Sequence, residues 1–180
     1  MWDYLQTLYI NIPAVVFKAL LSILSIGVVI TLALKGIKKG WRLSGFILLV
    51  GYIIFLYATT VIFRSFEINQ GYNFVPFWSY QTMNEKEGFL FRENISNILA
   101  FIPFGILLGT SFRKIKWWSV FVIGLIVSLS IEMLQFFLKR GFSEFDDVFH
   151  NVLGCLVGFG IYKFVECIIE RIRRRTLIRV

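Results

Sequence analysis

Apolar runs that approach the roughly 20 residues needed to cross about 30 Å of hydrocarbon recur along this chain. They restrict its fold more than any other feature. They fall at about 13–34, 43–63, 94–111, 117–138 and 148–169, separated by three short charged links and one longer hydrophilic stretch. Composition agrees: of 180 residues 57% are hydrophobic and 18% aromatic, and the mean hydropathy is +0.73. A soluble domain is not expected from such a sequence. The reading is an all-α polytopic membrane bundle of five transmembrane helices. It forms a single membrane domain over 1–180, with a hydrophilic loop at 64–93 and a basic tail at 170–180.

The charges orient the bundle. Lys35, Lys38, Lys39 and Arg42 follow the first run, and Arg113, Lys114 and Lys116 follow the third. Arg171, Arg173, Arg174, Arg175 and Arg179 crowd the tail. The other links carry the acids: Glu67, Glu85, Glu87 and Glu93 in one, Glu144, Asp146 and Asp147 in the other. Positive segments stay cytoplasmic. The three basic clusters share one side only with five spans, the N-terminus outside and the C-terminus in the cytoplasm. Pro13 suits a first helical position, Lys18 can snorkel to the near interface, and Pro103 should kink the third span.

The net charge of +8 invites a nucleic-acid reading. Its division into short clusters between apolar runs argues instead for topology, so no nucleic-acid partner is expected. Cys155 and Cys167 lie 12 apart in one run, about 18 Å along a helix and too far to bridge. There is no CxxC and no metal spacing, so no metal or cofactor is expected. The start, MWDYLQTLYINIP, has an acid and no basic region, unlike a cleaved leader.

Polar residues recur at helical spacing in the halves of the spans that this topology places outside. Ser128, Glu132, Gln135 and Lys139 share one face, and Asp147, His150, Asn151, Gly154 and Gly158 another. Asn94, Asn97, Phe101 and Gly105 line up on the third span, and Tyr57, Thr60 and Arg64 on the second. The first span offers Lys18, Ser22 and Ser25. Lipid cannot satisfy such groups, so the stripes should face one another. The expected result is an outward-facing polar pocket with Glu132 at its floor, about 9 Å below Leu138. Arg64, Arg92 and Arg140 are the available cations. Gly105, Gly109, Gly154 and Gly158 form small-xxx-small pairs that let helices approach.

Structural roles compete for these residues. Asn97 and Asn151 also suit interhelical hydrogen bonds, Asp147 a helix N-cap, and Glu132 a buried pair with an arginine. A lone His150 is a weak signal for a metal.

The runs ENISNILAFIPFGILLG and SIEMLQFFLKRGFSEFDDVFHNVLGCLVG resemble the VanZ-like family of bacterial membrane proteins. The loop segment YNFVPFW resembles the Asn-x-x-Pro-Phe element that precedes them in that family. The matching positions are Asn97 with Phe101, Pro103, Phe104 and Gly105; Glu132 with Gln135; Arg140; Asp146 and Asp147; and Asn151 with Gly154 and Gly158. His150 is outside the pattern. The family's namesake is associated with low-level resistance to teicoplanin, a lipid-tailed glycopeptide. The resemblance implies multi-pass residence in the bacterial cell membrane and a role at its outer face, in antibiotic or envelope handling.

These residues suit two functions. One is binding of a membrane lipid, a lipid-linked envelope precursor or a lipoglycopeptide by Arg64, Arg92, Asn97, Gln135, Arg140, Asp146 and Asn151. The other is an intramembrane enzyme acting on a lipid phosphate, with Glu132 or Asp147 as general acid or base and Arg140 holding the phosphate.

Overall fold

The computed structural model describes residues 41–64, 71–81, 83–112, 114–141 and 143–177. Helix α1 is Trp41–Tyr57 and runs into a π-helical turn, Ala58–Ile62. Strand β1, Tyr72–Asn73, and the short helix α2, Trp78–Gln81, follow. Helix α3 is Met83–Ser111, α4 is Trp117–Leu138, β2 is Ser143–Glu144, and α5 is Phe145–Leu177. Four stretches are long and apolar enough to cross a membrane: Ser44–Ile62, Glu93–Ser111, Trp117–Leu138 and Phe145–Ile172. They coincide with four of the five expected spans. The fifth, about 13–34, lies outside the described residues, as do Lys18, Ser22 and Ser25.

Two helices extend beyond their apolar runs. Helix α3 starts at Met83, well before the expected Asn94, because Glu85, Lys86 and Glu87 are good helix formers. Helix α5 continues to Leu177 for the same reason, through Glu170 and the arginines of the tail.

Helix α3 is the most enclosed of the four candidate spans and forms the centre. Its partner is α5, and glycines set their separation. A Cβ on Gly105 would overlap the Cys155 carbonyl. On Gly154 or Gly158 it would overlap the carbonyl of Ile98 or Ile102. The two backbones therefore touch, as small residues allow where no hydrophobic effect drives helices together. Phe101, Phe104, Cys155 and Phe159 fill the space beside the contact. Helix α1 joins through Tyr52, whose hydroxyl donates to the Ala100 carbonyl at 2.7 Å.

Helix α4 turns inside out. Its buried positions are Val120, Gly124, Ser128, Ile131, Glu132 and Gln135, one stripe at steps of three and four. Its exposed face carries Phe121, Ile126, Met133 and Phe137. The polar stripe faces protein and the apolar one faces outward, which is the arrangement for a helix in lipid.

Candidate functional site

The site is assembled where the end of α4 meets the start of α5. Helix α4 stops at Leu138, and Lys139 takes a left-handed conformation (φ 51°) whose amide donates back to the Gln135 and Phe136 carbonyls. The Arg140 amide donates to the Gln135 carbonyl at 3.0 Å, and Gly141 is also left-handed (φ 78°). This reversal folds the chain back alongside α4. The Glu144 amide then donates to Glu132 Oε2 at 3.0 Å, and the Ser143 hydroxyl donates to the Glu132 carbonyl at 3.3 Å. So the carboxylate is held by the link that follows its own helix. Asp147 and Arg64 are its electrostatic neighbours.

Helix α5 supplies the second wall. Asn97 on α3 donates its amide to Asp147 Oδ1 at 2.6 Å. One turn deeper, Asn151 donates to the Ser128 hydroxyl of α4 at 2.9 Å. Glu132, Asp147, Asn97, Asn151 and Ser128 are all buried. The three stripes do converge, and every amide and carboxylate named here has a partner. This is the satisfaction that buried polar groups require.

Gln135 and Arg140 look towards α1 instead. Thr59 and Thr60 turn their hydroxyls back onto the Phe55 and Leu56 carbonyls, and the backbone there widens into the π turn. Carbonyls at such a helix end need outside donors. Gln135 Nε2 donates to the Thr60 carbonyl at 2.9 Å, and Arg140 donates to the carbonyls of Ile62 and Arg64. Arg140 thus closes the end of α1. Arg64 lies against Gly141. The side chain of Arg92 lies outside those described.

A cover over the cluster comes from residues 71–81. Strand β1 pairs in parallel with β2, Tyr72 opposite Ser143 and Asn73 opposite Glu144. The Phe77 amide donates to Asp146 Oδ1 at 2.6 Å, and Phe77 itself has φ 60°. The Trp78 indole donates to Glu144 Oε2 at 3.0 Å. The Tyr80 hydroxyl lies 2.7 Å from His150 Nε2. His150 Nδ1 has no hydrogen bond of good geometry, although it faces the Asp146 carbonyl one turn back.

Glu144, Trp78 and Tyr80 complete the site beside His150, which shares the polar face of α5 with Asp147 and Asn151; the polar contacts of Glu144, Trp78 and Tyr80 were not expected. The signal for His150 was its step of three from Asp147 on the helix. Glu144 stood in the sequence only as part of an acidic link. It is buried against Asp147, Glu93 and Asp146, and burial first, then these charges, push its pKa up to about 8. Among the described residues, no three His, Cys, Asp or Glu side chains are arranged to share a metal ion.

Fold and site together define a small helical protein suited to a membrane, with buried carboxylates, amides and a histidine gathered at one end of its bundle. The chain belongs to the VanZ/LLP1 family, whose model matches residues 43–166. It is similar to Protein VanZ of Enterococcus faecium, at 39% identity over 72 residues, 40% of this chain and 45% of that protein. The match thus spans under half of that relative's length. No solved structure matches the chain.

Proposed function

We propose that this protein acts at the outer face of the bacterial cytoplasmic membrane, in teicoplanin-type glycopeptide resistance or related envelope handling. In this reading it binds a lipid-linked envelope precursor or a lipid-tailed ligand. The observation that carries the reading is the inward-facing polar stripe of α4, Ser128, Glu132 and Gln135, set against Asp147 and Asn151 of α5. Ionisable groups inside apolar segments are functional-site hypotheses by default. The polar cluster would receive a headgroup, and the aromatics of residues 72–80 would lie along the tail. Family membership supports the link to glycopeptides.

One observation favours a second reading, an intramembrane enzyme that hydrolyses or transfers on a lipid phosphate. Glu144, with its raised pKa, gives its backbone amide to the Glu132 carboxylate and feels the charge of Asp147. A carboxyl group whose pKa burial raises can serve as a general acid.

Glu132→Gln and Asp147→Asn, made separately and checked for expression, test both readings. Each variant keeps an oxygen that can accept the hydrogen bond seen here. The assays are binding of a fluorescent lipid-tailed glycopeptide, turnover of lipid phosphate, and teicoplanin susceptibility of cells. Binding readings expect weakened binding and restored susceptibility. Retained binding with lost turnover would establish the enzyme. Unchanged values in all three assays would remove the site from either function.

A further inference from the structure

Residues 71–81 are arranged the wrong way round for a loop in water. Their polar atoms point inward, the Phe77 amide to Asp146, the Trp78 indole to Glu144 and the Tyr80 hydroxyl to His150. Their apolar side chains point outward: Tyr72, Phe74, Val75, Phe77 and Tyr80 are 48–62% exposed. Surfaces in water rarely carry so continuous an apolar patch.

Depth gives the patch its partner. The Tyr72 and Phe74 rings pack on Phe136 at 5.9 and 6.2 Å. Phe136 is inside α4, two residues before its end at Leu138, or about 3 Å back along the axis. Phe77 meets Phe149 at 5.4 Å, and Phe149 is about 6 Å into α5. The segment therefore lies beside the last turn of one candidate span and the first turns of another rather than above them. The neighbouring exposed side chains are also apolar, with Met133 at 57% and Phe137 at 69%. Through Phe136 and its neighbour Phe137 the aromatic patch adjoins the outward apolar surface of α4. Non-helical backbone at such a level is tolerated where protein satisfies it. Pairing of β1 with β2 and the bond from Phe77 to Asp146 do this.

We infer that residues 72–77 form an interfacial membrane segment, with its aromatic face against lipid at the leaflet edge and its polar face closing the carboxylate cluster from the side. Access to the cluster is then lateral, from lipid, and displacing this segment opens it. That the leaflet is the outer one rests on the proposed topology; the depth of the segment does not.

Site-directed spin labelling of the full chain tests this. In a Cys167→Ser background, Phe74→Cys and Val75→Cys are labelled one at a time in phosphatidylcholine–phosphatidylglycerol vesicles. Two sites are used so that loss of one ring contact does not decide the result. Collision with oxygen reports lipid, and collision with a water-soluble nickel chelate reports water. Phe137→Cys is the lipid-facing control and Lys114→Cys the link control. Both test sites should group with Phe137→Cys, with oxygen favoured over the chelate. Grouping with Lys114→Cys would overturn the inference. Shielding from both reagents would place the face against protein, such as a second copy of this chain, and would equally overturn it.

Discussion

Replacing Glu144 by glutamine should flatten the dependence of stability on pH. In the folded protein its pKa is pushed up to about 8 from 4.5, chiefly by burial and then by the charge of Asp147. Between those values the folded state holds a proton that the unfolded state has released. Stability therefore falls as pH rises through this window and levels off above it. A displacement of about 3.5 pH at ~1.4 kcal/mol each sets a ceiling near 5 kcal/mol. Local relaxation and water entry reduce it, and ~2–3 kcal/mol is the expected loss. That corresponds to a fall in Tm of about 5–10 °C for a chain of this size. Glutamine does not titrate, and its carbonyl can still accept the Trp78 indole. Thermal unfolding in a neutral detergent, followed by circular dichroism from about pH 5 to about pH 9, gives the comparison. Equal pH slopes in the wild type and Glu144→Gln would refute the reasoning, because Glu144 would then be ionised in the folded state.

Arg140→Ala leaves the Ile62 and Arg64 carbonyls without their guanidinium donor and should lower stability by ~1.5–3 kcal/mol; Arg140→Lys should recover part of this in the same melts. Gly158→Ala places a methyl group on the Ile102 carbonyl and should cost ~3 kcal/mol or more. Gly51→Ala, where nothing lies within 4 Å, should be neutral or stabilise by up to ~1 kcal/mol; unfolding in mixed detergent ranks the two. Asn97→Leu removes the donor to buried Asp147 and should destabilise by ~1–3 kcal/mol, a loss readable by the same titration.

The helices were legible because apolar length is a local property. The expected 117–138 coincides with Trp117–Leu138, and 43–63 comes within a residue or two of the end of the π turn. The convergence of Asn97, Asp147, Glu132 and Asn151 was legible too, since polar residues on greasy helices must turn towards one another. Their pairing was not. Asn97 bonds Asp147, Asn151 bonds Ser128, and Glu132 takes a backbone amide, and such choices depend on helix rotation and depth rather than spacing. Nor was the cover. Loop 64–93 read as hydrophilic, yet Tyr72–Asn73 pairs with residues some seventy positions on. A two-residue strand has no periodicity to reveal it. Arg140 shows the same limit: spacing offered it as a cation for ligand, while its guanidinium reaches backbone carbonyls of α1.

The pairing of β1 with β2 also bears on how the protein is made. A ribosome delivers α1, β1 and α3 to the membrane before α4 exists. Until the α4–α5 hairpin arrives, Asn97, the Thr60 carbonyl and the amides of residues 72–77 have none of the partners described above. The carboxylate cluster therefore forms only once synthesis has passed Asn151, when α4 and the first turns of α5 can join α1 and α3. Quality control in the membrane would meet exposed asparagine and strand edge in any chain stalled before Glu144. It would meet neither once the hairpin has docked.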